Sequence, residues 1–347
     1  MKLAGIGDLF IPHQYIKAGM CPDGVSVKTL DWETGSFEEL QNINLLVEKH
    51  GSEAYEVPPY IVEAVKDADI LVTQFCPVNE KLIDACPNLK MIGVLRSGLE
   101  NINISYATEK KIAVLNTPGR NADSVADFTV GALICEARNI ARGHHGLKSG
   151  VWIRQYPNQG HIPDLSGKTA GIIGFGEIGM KVAKRLSGFD MRILAYDPFR
   201  KTVEYGAELV DLKYLMANSD FITLHARLTE ENQHIINAEM LALMKPTAYI
   251  INTARAGLVD ETALYEALKN KKIAGAMLDV FEKEPPGADY PLVTLDNVTL
   301  TPHMAGGSND AFFNSPKKLA AEIEKALKGE MPRSLVNTEI WEERKWS

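Results

Sequence analysis

Cysteine is scarce. The 347 residues hold four, Cys21, Cys76, Cys86 and Cys135, and none stands at CxxC or Cys/His ligand spacing. That pattern excludes a zinc ribbon and a disulfide scaffold; the thiols are expected to be reduced and mostly packed as small hydrophobes. No run approaches the roughly 18 apolar residues that a membrane span needs, and no basic-then-apolar leader opens the chain, so a cytoplasmic setting is expected. Cations are in deficit too, with 37 Lys and Arg against 45 Asp and Glu. Without a Lys/Arg-dense face, nucleic acid is not an expected partner. Repeats and low-complexity tracts are missing as well, which argues against a solenoid.

What is present is ordinary for a globular chain: 45% hydrophobic and 24% charged residues. At about 150 residues per domain, the length predicts two domains. Short apolar runs alternate with longer helical patterns, which is the pattern of a parallel α/β fold. Strands are expected at 3–6, 70–73, 91–95 and 113–115, then at 169–173, 192–196, 221–224, 248–251, 274–278 and 298–301. Between the two sets, residues 124–142 place Val125, Phe128, Leu133, Ala137 and Ile140 near helical spacing, with Ser124 and Asp127 as a capping box. The stretch 143–168, rich in Gly, His, Trp and Pro, reads as irregular.

The run GIIGFGEIG sets Gly174, Gly176 and Gly179 in GxGxxG order, after a strand and opening a helix. The first glycine permits a tight turn, the second lets a pyrophosphate approach the backbone, and the third lets helix press on strand. The helix start, Glu177 and Ile178 included, then offers free N–H groups and a positive dipole end to phosphates. Asp197 follows the next strand, eighteen residues past Gly179. A carboxylate there accepts ribose hydroxyls and repels the extra phosphate of NADP, so NAD is the expected cofactor, with Arg200 nearby as a complication.

Three more stretches follow strands of the second set: NTARAG with Arg255, LDVFEKEPP with Asp279 and Glu284, and TPHMAGG with His303. In open parallel sheets, residues just past strand carboxyl ends line the ligand crevice. An arginine, a carboxylate and a histidine suit a 2-hydroxy acid, which has a carboxylate to grip and a C2 hydroxyl to deprotonate as hydride leaves. At this point the chain closely resembles the D-isomer specific 2-hydroxyacid dehydrogenase family, phosphoglycerate, glycerate and D-lactate dehydrogenases among them. The resemblance spans nearly the whole chain and rests on RSGLENINI, NTPGRNADSVADFTVG, GIIGFGEIG, LMKPTAYIINTARAGLVDE, LDVFEKEPP and TPHMAGG, in the family's order.

The resemblance implies that Arg255 binds the substrate carboxylate and carbonyl oxygen, that His303 is the acid/base, and that Glu284 pairs with it. It implies that Asp279 lies near the nicotinamide; Thr253 and Ala254 join it as expected cofactor contacts. It further implies that backbone amides at Ser97 and Gly98 hold the substrate carboxylate and that the chain forms a homodimer through the helix at 124–142 and the arm after it. Ala256, Arg227 and Glu100 depart from the family's glycine, proline and aspartate without removing a catalytic group. Arg96 and Arg120, beside stretches expected to face a cleft, are candidates for a second anionic group of the substrate.

Tyr265 and Lys269 form a YxxxK pair but sit on an amphipathic helix, and are read as a surface pair. His144, His145 and His161 lack acidic or cysteine partners at ligand spacing, so no metal is expected. The tail 341–346 reads as a charged end with apolar anchors. The expected architecture is therefore α/β: two doubly wound, Rossmann-like domains with an interdomain cleft, residues 1–119 plus 310–347 forming the substrate domain and 120–309 the NAD-binding domain. The expected activity is that of an NAD-dependent D-2-hydroxyacid dehydrogenase or 2-oxoacid reductase. An NAD-sensing scaffold on the same fold is the alternative, whose sign would be a lost catalytic group.

Overall fold

In the computed structural model, which describes residues 1–343, the chain divides into two compact units. One is Met1–Arg120 together with the chain from Ser308 onward, and the other is Asn121–Gly307. Of the tail 341–346, residues 344–346 lie outside the described residues, while Trp341 is buried. Among the described residues no helix is long and apolar enough to cross a membrane.

The first unit is built on a parallel sheet of β1 (Lys2–Gly7), β2 (Ser26–Asp31), β3 (Ile70–Thr73), β4 (Met91–Val94) and β5 (Ala113–Leu115), in the order β2-β1-β3-β4-β5. The strands β3, β4 and β5 are wholly buried, as a sheet covered on both faces requires. Alternate residues serve opposite faces: Ala4, Leu71, Ile92 and Val114 join one core, while Leu3, Ile70, Val72 and Met91 join the other. Leu319 and Ile323 of the helix Asn309–Leu327 close that second core. A Cβ on Gly93 would come within 2.6 Å of Leu319 Cδ2, so the glycine lets that helix lie close on β4.

In the second unit seven parallel strands follow the order β12-β11-β10-β9-β6-β7-β8. They are β6 (Thr169–Ile173), β7 (Arg192–Tyr196), β8 (Glu208–Leu209), β9 (Phe221–Leu224), β10 (Tyr249–Asn252), β11 (Gly275–Leu278) and β12 (Val298–Leu300). Ile173, Leu194, Ile222 and Ile250 point into one core; Ile172, Ile193, Phe221 and Ile251 point into the other. Both sheets thus reverse their strand order once, between β1 and β3 and between β6 and β9. Such switch points open a ligand crevice at the carboxyl ends of the strands.

The segment expected as one helix over 124–142 is two, Ala122–Ala137 and Ile140–Lys148. The break is Asn139, held at φ 58°, a left-handed conformation that Asn tolerates better than most residues. The first helix starts at Ala122 with Asn121 as N-cap, so the Ser124/Asp127 capping box does not form; Asp127 instead takes Arg185 Nε at 2.5 Å. The second helix also claims the first residues of the stretch read as irregular. Across the break, Arg142 Nη2 donates to both oxygens of the buried Glu136 at 3.0 Å, and Thr299 Oγ1 donates to Glu136 at 2.5 Å. Burial pushes the Glu136 pKa up, and the Arg142 charge opposes that shift.

Candidate active site

The turn after β6 has the form its glycines require. Gly174 sits at φ 89°, and a Cβ there would lie 2.5 Å from the Ala226 amide nitrogen at the end of β9. A Cβ on Gly179 would collide with the Gly174 carbonyl oxygen, so helix and turn are in direct contact. At Gly176 a Cβ would meet nothing within 4 Å. This glycine caps the helix Glu177–Ser187, whose first turn has no side-chain cap. Open space in front of uncapped N–H groups fits the pyrophosphate of a dinucleotide. Asp197 braces the same turn: its Oδ2 accepts from Phe175 N at 2.8 Å and its Oδ1 from Phe199 N at 2.9 Å. Each oxygen keeps a lone pair for a ribose hydroxyl. Arg200 is turned toward Met180 Sδ at 3.4 Å and Glu204 at 3.9 Å.

The loops with Arg255, Asp279 and His303 leave β10, β11 and β12, which are neighbours in the sheet, so all three emerge side by side at its carboxyl edge. Asn252, which sequence reasoning passed over, fixes the first: its Nδ2 donates to the Arg255 carbonyl at 2.9 Å and its Oδ1 accepts from Ala254 N at 3.0 Å. An Asn at a strand end with such local bonds is a recognisable turn signal. Thr253 Oγ1 lies 2.9 Å from Thr129 Oγ1. Arg255 itself is exposed and spends one N–H on the Ala254 carbonyl at 2.7 Å. The remaining donors form a guanidinium fork available to a carboxylate. Ala256 opens a 3-10 turn at an ordinary negative φ, so its methyl is accommodated without strain.

Asp279 is fully buried and ties down the loop that follows β12. It accepts from Thr301 Oγ1 at 2.5 Å, Met304 N at 2.9 Å and Ala305 N at 2.8 Å. Between those anchors His303 adopts φ 49°. Its Nδ1 lies 2.7 Å from Glu284 Oε2, while Glu284 Oε1 accepts from Phe281 N at 3.1 Å. The carboxylate therefore orients the ring and leaves Nε2 as the nitrogen free to exchange a proton. Both side chains are about half exposed, at 50% and 37%. His225, at the end of β9, is a different kind of histidine. Burial depresses its pKa to about 3, which keeps it neutral, and its Nε2 lies 2.9 Å from Thr223 Oγ1.

The other candidates belong to the first unit. Ser97 and Gly98 follow β4, where Asn116 Nδ2 donates to the Ser97 carbonyl at 2.8 Å. Arg96 is saturated, with Glu100 at 2.5 Å, Asn44 at 2.8 Å and Glu48 at 3.4 Å around its guanidinium. Among the described residues Arg120 has no such partners. Tyr265 and Lys269 stack on one another along their helix, the Lys269 Nζ lying 5.3 Å from the ring centroid. Among the described residues no three His, Cys, Asp or Glu side chains form a metal cage.

Residues 130–305 match the model of the D-isomer specific 2-hydroxyacid dehydrogenase NAD-binding domain. The chain is 45% identical over 282 residues to D-3-phosphoglycerate dehydrogenase of Methanocaldococcus jannaschii, the match covering 80% of this chain and 53% of that protein. It thus spans about half the length of that relative. It is 41% identical over 293 residues to glyoxylate reductase of Korarchaeum cryptofilum, covering 82% of this chain and 88% of the other. The NAD-complexed D-isomer specific 2-hydroxyacid dehydrogenase of Lactobacillus delbrueckii ssp. bulgaricus superposes with a TM-score of 0.78 over 97% of this chain and 100% of its own. At 24% identity that likeness establishes the fold alone. Glycine turn, arginine loop and histidine–glutamate pair are thus set in a chain that belongs to the D-isomer specific 2-hydroxyacid dehydrogenase family of NAD-dependent oxidoreductases.

Proposed function

We propose that this protein interconverts a D-2-hydroxy acid and its 2-oxo acid, with Arg255, Glu284 and His303 as the catalytic set. The observation that carries the reading is the 2.7 Å bond from His303 Nδ1, after β12, to Glu284, after β11, beside the β10 loop whose Arg255 guanidinium keeps donors to spare. The backbone amides of Ser97 and Gly98 add donors for the substrate carboxylate.

Gly174, Gly176, Glu177, Ile178, Gly179 and Asp197, with Thr253, Ala254 and Asp279, would hold NAD, which when bound would supply the hydride acceptor for C2. Arg255 grips the carboxylate through a forked, charge-assisted contact that a lysine would not reproduce, and it polarises the C2 oxygen. His303 Nε2 takes the hydroxyl proton during oxidation and returns it during reduction. Glu284 holds the ring in the tautomer that this exchange needs. Positioned proton transfer of this kind contributes about 100- to 10,000-fold in rate. Asp279 fixes the His303 loop from beneath.

Glyoxylate, hydroxypyruvate and 3-phosphoglycerate are the substrates in the names of relatives, and this protein's acid belongs to that class. A cytoplasmic homodimer is the form in which we expect it to work. The test is Arg255→Ala, assayed by NADH absorbance against a panel of 2-oxo acids. Turnover is expected to collapse while NAD affinity stays near normal; retention of more than about a tenth of kcat/KM, a loss under about 1.4 kcal/mol, would sink the role given to Arg255.

A further inference from the structure

Buried polar atoms without partners gather at the carboxyl edge of the first sheet. They are Asp8 Oδ2 past β1, Gln74 Oε1 and Nε2 past β3, and Arg120 Nη1 past β5. The strands β1 and β3 flank the switch point of this sheet, the place where an open α/β sheet takes its ligand. An aromatic floor joins the groups: Arg120 lies over Phe312, Arg96 lies over Phe75, and Phe10 contacts both rings at 5.5 and 5.9 Å.

The two arginines are not equivalent. Arg96 is neutralised by Glu48 and Glu100, whereas Arg120 has no carboxylate within 4 Å among the described residues. Desolvation and the neighbouring Arg96 charge push the Arg120 pKa down to about 10, so the cation persists at neutral pH but is held at a cost. Asp8 offsets it only in part, from beyond ion-pair distance. Its Oδ1 is spent on Phe10 N at 2.8 Å and Ile11 N at 2.9 Å, and burial raises its pKa to about 6. Water would satisfy the orphan N–H but not the charge. A half-buried guanidinium beside an open amide and a protonatable carboxyl is a receptor for an oxyanion.

We infer that Arg120, Gln74 and Asp8 form an oxyanion subsite, and that it takes a second charged group of the substrate, a terminal carboxylate or phosphate. The substrate half of this inference rests on the 2-hydroxy acid reading; the subsite itself does not. The guanidinium fork and the Gln74 Nε2–H donate to the oxyanion, and the anion's approach favours the protonated form of Asp8, which then adds a third donor.

Two measurements test it. In the first, glyoxylate, 2-oxoglutarate and 3-phosphohydroxypyruvate are reduced with NADH. One of the two anion-bearing acids should exceed glyoxylate in kcat/KM by about tenfold or more, and which one it is distinguishes carboxylate from phosphate. Arg120→Gln should lose about tenfold more on that acid than on glyoxylate. Equal losses, or no preference in the wild type, would overturn the substrate half. In the second, inorganic phosphate is added to the NAD-saturated enzyme, so that the glycine turn is already filled. Phosphate should raise the Tm of the wild type and not that of Arg120→Gln; a wild type without a shift, or a variant with the same shift, overturns the subsite. If Arg120→Gln does not fold, Arg120→Lys replaces it. That variant keeps the charge and loses the fork, and phosphate binding as tight as the wild type's would also overturn the subsite. Absence of turnover on every 2-oxo acid would remove the proposed activity and leave the phosphate measurement to decide alone.

Discussion

Asp8 is a carboxyl whose environment opposes its charge, and this makes its contribution to stability depend on pH. Its pKa rises from 3.8 to about 6, with burial the main cause and the backbone N–H groups of Ile11 and Phe10 and the charge of Arg120 opposing. Arg120 and the thiol of Cys76 are the titratable groups facing it. A raised carboxyl pKa gives stability that is complete below pH 3.8 and lost as pH climbs through about 6. Asn keeps the Oδ1 acceptor and carries no charge. Asp8→Asn should therefore be more stable than the wild type at pH 7.5, by at most about 3 kcal/mol, with the gain cut by more than half at pH 4.5. Urea unfolding at the two pH values checks this, and a pH-independent gain would refute it. Nothing in the sequence marked Asp8 or Gln74, because a single polar residue after a strand has no spacing partner. Arg255, Glu284 and His303 were legible as candidates because each sits in a long motif. The bond that joins His303 to Glu284 was implied by resemblance, and its geometry came only from the fold.

Among the elements, the broken helix pair shows how one polar contact can hold a packing layer. Glu136 reaches from the helix Ala122–Ala137 to β12 through Thr299, and a Cβ on Gly275 of β11 would collide with its carboxylate. Removing Arg142 would strand that carboxylate among buried groups. Arg142→Ala is expected to cost about 3–5 kcal/mol in urea unfolding, since a buried charge loses its partner. A loss below about 1 kcal/mol would place the pair among ordinary surface bridges. The break itself had a legible cue in Asn139, but continuous apolar spacing on both sides outweighed it. Two strands also escaped sequence reasoning. The strand β2 reads SVKTLD, polar and apolar in turn at a sheet edge, and β8 is only the exposed pair Glu208–Leu209. These two edge strands lack the buried, mainly apolar run that made β3, β9 and β10 legible.

For the whole molecule, alternation of apolar runs with helical patterns was enough to predict parallel α/β sheets, because strands covered on both faces must be apolar throughout. Strand order was not readable in that way: the two switch points follow from which edges meet in three dimensions. The placement of the fingerprint in one unit leads to a whole-chain expectation. NAD at about 100 times its Kd adds about 2.7 kcal/mol to the state that binds it. Slow amides of β6, β9 and β10 should gain hydrogen-exchange protection by mass spectrometry, and those of β1, β3 and β4 much less. Equal gains in both sets would show that the nucleotide is not held by residues 121–307 alone.

The first unit is written in two pieces, with the whole second unit between them. During synthesis, residues 121–307 leave the ribosome as a continuous stretch and have all seven strands before the helix Asn309–Leu327 exists. Until that helix arrives, β4 has no Leu319 to cover Gly93, and Arg120 has no Phe312 beneath it. The nucleotide-binding unit is therefore completed first, while the sheet begun earliest is covered last.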